Sequence, residues 1–250
     1  MAESVIVNPA GINAPQGNEV YADVSVQRFV TDPAGNSLGG AIVSISAASP
    51  AVVTTTSVHG LVNGQQVTMA GATWTTVGAG VTNGTWPITV LSSTTFSIPV
   101  VTTGGTNTAV GTYTAPFVFG QLMGVQTWNG TASGAASAPA YPTVTVASPA
   151  AAGAASCIGP LIGGNTLGSK LTQVPGGTIC QIATSGLAQV LFTLTPTAAQ
   201  IVTTSATIPG GAISAAIASA AAGTGVGTCL QAVTATTIAP ALGWCHIESS

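Results

Sequence analysis

Residues 54–71 read TTTSVHGLVNGQQVTMAG, and residues 81–100 read VTNGTWPITVLSSTTFSIPV. Asn-Gly pairs stand at Asn63-Gly64 and Asn83-Gly84. Asn and Gly tolerate the positive φ that tight turns require, so both pairs predict hairpin corners. Short β-prone runs surround them: QQVTMAG, WPITVL and TFSIPVV. In the last run Phe96, Ile98 and Val100 fall on one face. Strands alternating with corners predict a small barrel or sandwich. His59 sits beside Gly60 within this corner chemistry. It reads as a structural histidine whose ring nitrogen satisfies a loop backbone group.

The texture differs on either side. Residues 47–111 carry no Asp, Glu, Lys or Arg. Before them, VYADVSVQRFV (20–30) alternates, with Val20, Ala22, Val24, Val26 and Arg28 on one side, which predicts a strand. TDPAGNS (31–37) is turn chemistry and LGGAIVSIS (38–46) reads as the return strand of a β-hairpin. Residues 1–19, rich in Pro, Gly and Asn, predict an extended arm.

After the middle segment comes an apolar run, TAPFVFGQLMGVQTW (114–128), with a third Asn-Gly at 129–130. An Ala/Pro/Gly/Ser-rich stretch (132–156) holds one expected strand, PTVTVAS. Residues 171–195 predict two strands, with Ala188, Val190, Phe192 and Leu194 on one apolar face. Residues 212–222, AISAAIASAAA, read either as one short Ala-rich helix or as a strand and loop. ALGWCHIESS reads as a closing strand. The fold expected is all-β: two small β-barrel or sandwich domains, an extended N-terminal arm and at most one short helix. Its expected divisions are an arm and hairpin (1–48), packing with the C-terminal domain, an inserted barrel module (49–112) and a C-terminal β-domain (113–250).

Charge is the anomaly. An average soluble chain is about 25% charged, which here means roughly 60 residues. This one has seven: Glu3, Glu19, Asp23, Arg28, Asp32, Lys170 and Glu248. A compact monomer of this mass exposes about 10,000 Å², or one charge per roughly 1,400 Å². Such a surface offers little repulsion against self-association, so much of it is expected to be buried in an assembly. Two basic residues do not build a phosphate-tracking groove, which excludes nucleic-acid binding. The mean hydropathy of +0.58 hints at a membrane. Yet the best apolar stretch (212–222) falls short of the roughly 20 residues a spanning helix needs. The 5% aromatic content is thin for the girdles of a membrane barrel. The start, MAESVIVNPAG, reads as lacking a secretion signal, so synthesis in a host cytoplasm is expected.

Chemistry needs titratable groups that converge. The acids are too scattered for a carboxylate pair. Asp23, Arg28 and Asp32 read as a rim salt bridge or subunit contact. Cys245 and His246 are adjacent, so on a strand they point to opposite faces. Two histidines do not supply a metal site, and no GxGxxG or GxxxxGK[ST] phosphate loop is present. Cys157, Cys180, Cys229 and Cys245 read as buried thiols or as disulfides formed after release from the cell, with three pairings open. No catalytic residue, cofactor or metal is expected.

The middle segment resembles the small β-barrel known as the first-catalytic-cysteine-half-domain fold of ubiquitin-activating enzymes, and modules like it recur in bacteriophage structural proteins. The resemblance rests on the His59-Gly60-Leu61 corner, Gly64-x-x-Val67, Gly71, Asn83-Gly84-Thr85-Trp86 and Thr95-Phe96, and covers about 50 of the 250 residues. No cysteine lies there, so it implies a structural module and no enzyme. SGLAQVLFTLT, IPGG and GTGVGTCLQAV resemble the C-terminal layout of phage capsid decoration (cement) proteins, often trimers on the outer head. Together these imply a non-enzymatic virion protein that binds the major capsid protein on the outer capsid surface as a homo-oligomer, a trimer by resemblance. The alternative is a tail or fibre component that binds a host receptor. A third reading is a polysaccharide- or ice-binding surface protein with flat Thr-rich faces.

Overall fold

The computed structural model describes residues 24–31, 38–78, 80–127, 143–146, 157–164, 173–215 and 225–248. The expected arm, Asp23, Asp32, Lys170 and the Asn-Gly at 129–130 lie outside these. The chain is all-β: every regular element among the described residues is a strand. Among the described residues twenty strands run from β1 (Ser25–Thr31) to β20 (Ala241–Ile247), and no helix there is long and apolar enough to cross a membrane.

The organising element is β16 (Ile179–Phe192), fourteen residues without proline or charge. Its first half pairs with β1 on one edge and with β14 (Cys157–Gly164) on the other. The circuit closes through β12 (Leu122–Thr127) and β13 (Thr143–Val146). This is a first five-stranded barrel. From Gly186 onward the same strand pairs with β20, and Phe192 pairs with Ala212 of β18 (Ala212–Ala215). A second five-stranded barrel closes through β17 (Ile201–Thr204) and β19 (Gly227–Cys229).

Both barrels follow one topology. In each, the first strand in sequence pairs in parallel with the third, the third with the second, the second with the fourth, the fourth with the fifth, and the fifth with the first. β16 is the fifth strand of one and the first of the other. Gly186, at φ 92°, marks the changeover. The sequence trace of this repetition is short: Cys180-Gln181-Ile182 and Cys245-His246-Ile247 occupy the fifth strands, their Cys and Ile facing the interior.

Between β1 and β12 the chain builds the inserted module. Seven strands order as β6-β4-β10-β2-β3-β8-β7, where β2 is Gly40–Ile45, β3 Ala51–Thr55, β4 Gln66–Ala70, β8 Thr95–Ile98 and β10 Thr112–Thr114. The edge strands β6 (Gly84–Pro87) and β7 (Thr89–Val90) are consecutive in the chain. A bend at Ile88 therefore carries the backbone from one edge to the other and wraps the sheet into a barrel. Val53, Val67, Met69, Phe96 and Ile98 fill it, all essentially inaccessible. The face expected from Phe96, Ile98 and Val100 is buried as the alternation implies.

Three expectations change. The hairpin over residues 20–46 does not form. β1 joins β13 and β16, while β2 (Gly40–Ile45) joins β3 and β10. Long-range ladders on both edges of β1 outcompete the local turn, and Thr31 locks the choice: its hydroxyl donates to Pro175 O at 2.7 Å, and Gly177 N donates to Thr31 O at 2.9 Å. The apolar face of β1 is inverted, with Phe29 and Thr31 buried and Val26 and Arg28 exposed. Leu194 leaves its expected face because β16 ends at Phe192, and it is exposed. The described part of 212–222 is strand β18, paired with β17.

Ladder crowding sets a test. Gly159, at φ 146° on β14, leaves no room for a side chain: an added Cβ would overlap the Ala183 carbonyl oxygen on β16. Gly159→Ala is expected to cost about 3 kcal/mol. Gly104→Ala, at φ 82° with nothing within 4 Å, is expected to cost only about 1 kcal/mol. Chemical denaturation of both variants checks the contrast.

Candidate functional site

The corner built by residues 59–65 is where the module meets the barrels. His59 is buried and lies edge-on to Phe96, with ring centroids 5.8 Å apart and planes at 75°. Phe96 in turn meets Tyr113 edge-on at 5.7 Å. His59 Nδ1 accepts the Leu61 backbone N–H at 3.0 Å, which leaves the ring proton on Nε2. That N–H is buried without a hydrogen-bond partner. Burial holds the His59 pKa below its ordinary value, outweighing the Thr95 and Ser92 backbone groups that favour the charged form. His59 is thus a neutral strut, and its backbone N–H is tied to Ser93 O at 3.0 Å. Gly60, at φ 62°, packs on the second barrel: a Cβ there would sit 2.7 Å from Pro209 O and 3.3 Å from a Leu38 methyl.

The Asn-Gly pairs work differently from hairpin corners, because neither joins two strands that pair with each other. Their asparagine side chains act as backbone substitutes. Asn63 Oδ1 accepts from Val90 N at 2.6 Å, and Gly64 N donates to Ile88 O at 2.8 Å. Asn83 reaches back to one residue with both ends of its amide: Oδ1 accepts from Ala72 N and Nδ2 donates to Ala72 O, each at 3.0 Å. Gly84 simply follows at φ 125°.

Two buried glutamines carry a role that the turn-and-strand pattern does not announce. Val62-Asn63-Gly64-Gln65 and Val118-Phe119-Gly120-Gln121 form the same turn. In each, the Gln backbone N–H donates to the Val carbonyl, at 3.2 and 3.3 Å. The Gln Oε1 accepts the Val N–H, at 2.9 Å in both. Both glycines have φ near 80°. Gln65 Nε2 then donates to Pro116 O at 2.7 Å, and the Gln66 backbone N–H donates to Gln173 Oε1 at 3.0 Å, stitching the module to the barrels. The repeated Val-x-Gly-Gln is the signal in the sequence that points to them.

An open cleft of about 610 Å³ runs along this seam, lined by Asn63, Gln65, Phe119, Gln173, Pro240 and Leu242 among others. None of its lining residues is acidic, basic, His or Cys. Among the described residues no group of three His, Cys, Asp or Glu is placed to hold a metal ion. Arg28 is exposed opposite Gln181, whereas Asp23 and Asp32 are outside the described residues. Cys245 is buried and His246 exposed on opposite faces of β20, where His246 Nδ1 lies 3.7 Å from Glu248 Oε1. Burial pushes the Cys157 and Cys180 thiols up to about 12. No protein-family model and no curated protein matches the chain.

A neutral buried histidine makes stability depend on pH with a definite sign. Its folded pKa lies below the unfolded 6.5, so its contribution is complete above 6.5 and is lost as pH falls through the folded value. Thermal midpoints of the wild type are expected to drop between pH 7 and pH 5. His59→Ala is expected to lower the pH 7 midpoint while flattening that dependence. Asn83→Ala, which strips two hydrogen bonds from Ala72, is expected to cost about 2 kcal/mol at any pH in this range, read by chemical denaturation.

Proposed function

We propose that this chain is a non-enzymatic decoration (cement) protein of a bacteriophage virion, seated on the outer head surface as a homotrimer and bridging subunits of the major capsid protein. The observation that carries the reading is the surface. Arg28 and Glu248 are the only Asp, Glu, Lys or Arg among the described residues. Large apolar side chains stay exposed on all three barrels: Val43 and Val101 on the module, Val26 on the first barrel, Leu194 and Leu230 on the second. Val43 and Val101 are 57% and 61% exposed. An uncharged surface carrying exposed apolar residues suits a protein that is covered by neighbours.

The mechanism is geometric. Each barrel is cross-linked internally by ladders and by Thr, Asn and Gln side chains, and so presents a rigid face. Such faces span the joint between two capsid subunits and bury surface from both. A single contact is weak, but it adds stability only to the assembled shell, and it is repeated at every equivalent position. The module, held to the barrels at Gly60 and Gln65, projects as the contact domain.

Capsids lacking the protein, mixed with the purified chain, are expected to take it up in sedimentation and to gain resistance to heat and low salt. Val43→Lys with Val101→Lys is expected to leave the unassembled protein's stability within about 0.5 kcal/mol and to abolish uptake. A stable monomer that neither binds capsids nor protects them refutes the assignment. Labelled antibody at the tail tip instead of the head surface would assign the chain to a tail or fibre.

A further inference from the structure

Cys229 and Cys245 occupy directly opposed positions on neighbouring antiparallel strands, β19 and β20. The hydrogen-bond phase of this ladder fixes what kind of pair they are. Leu230 N donates to Trp244 O at 2.9 Å, whereas Cys229 N turns the other way, to Gln200 O on the far side of β19, at 2.8 Å. Cys229 and Cys245 are therefore a non-hydrogen-bonded pair. Opposed Cα atoms in such pairs lie about 4.5 Å apart with their side chains on one face, inside the roughly 4.4–6.8 Å span that a disulfide requires. Both side chains are fully buried in the core of the second barrel, where Cys229 Sγ donates to Gln231 O at 3.2 Å and Cys245 Sγ to Gly243 O at 3.7 Å.

The other two cysteines have no such partner. Cys180 holds the same place in the first barrel as Cys245 in the second, but its cross-strand neighbours are Phe29 on β1 and Gly164 on β14. Cys157 pairs with Gly124 at the other end of β14.

We propose that Cys229 and Cys245 are a built disulfide site that clamps the C-terminal strand β20 to β19 once the protein leaves a reducing environment, and that Cys157 and Cys180 remain thiols. The oxidant is a small-molecule disulfide. One protein thiolate attacks it, forming a mixed disulfide and releasing one small thiol. The second protein thiolate displaces the other, forming the Cys229–Cys245 bond. Two protons leave the protein and two electrons reduce the small disulfide to two thiols. Both cysteines are inaccessible in the closed barrel, so the exchange runs through openings of β20. It is slow in the native protein and faster in mild denaturant.

The test uses the full chain, purified reduced, then incubated with oxidised glutathione in mild denaturant and returned to buffer. Thiol counting under full denaturation is expected to fall from four to two, with a mass loss of two hydrogens. Peptide mapping is expected to place the link between Cys229 and Cys245, and the thermal midpoint to rise by about 5–10 °C. The double variant Cys157→Ala with Cys180→Ala is expected to form the same link, whereas Cys229→Ala is expected to form none. A link involving Cys157 or Cys180, four thiols surviving the treatment, or a Cys229–Cys245 link that leaves the midpoint unchanged would each overturn the proposal.

Discussion

Ladder pairing runs nearly the whole length of β16, with β1 and β14 over its first half and β20 over its second, and the two barrels exist because of it. Residues 179–185 complete one circuit and residues 186–192 begin the next. Where β16 is paired on both sides, at residues 180–182 and again at Phe192, it has no free edge to guard. Neither barrel closes without its share of β16, and the module is held in place by contacts to what those barrels build. The shared strand therefore couples folding of the first barrel to folding of the second.

Local patterns were legible, and long-range pairings were not. Alternation placed Phe96, Ile98 and Val100 in the core and marked β20 as a closing strand, because side-chain direction follows from the two-residue period alone. The partner of a strand does not. β1 and β2 looked like a hairpin because a turn-rich segment separates them, yet β1 finds β16 some 150 residues later. β16 runs straight through Ser185-Gly186, where pairing with β20 takes over from pairing with β1. His59 reads as structural from its poverty of partners, and its Nδ1 accepts the Leu61 backbone N–H. The reach of Asn83 to Ala72 and of Gln65 to Pro116 was not legible, since nothing in a one-dimensional string says which backbone group lies within 3 Å of an amide.

The same substitution of amide for charge recurs throughout. Where many proteins fasten loops with ion pairs, this one uses Asn63, Gln65, Asn83 and Gln121, together with threonine hydroxyls such as Thr31 and Thr102, which accepts from Ala48 N and donates to Ser46 O. Neutral hydrogen bonds inside a barrel are insensitive to ionic strength, in contrast to surface ion pairs, which weaken as salt screens them. Internal cohesion of this kind holds across a wide range of salt, and the exposed surface stays free to be uncharged.

The continuity of β16 through both barrels also has a mechanical meaning. A pull applied between the far ends of the two barrels travels along one covalent strand, and the ladders on either side are loaded lengthwise. Bonds loaded in that direction share the tension and yield together, whereas bonds loaded across a ladder break in succession. Two barrels joined by a linker would swing about it. Two barrels threaded on one strand have no such linker between them.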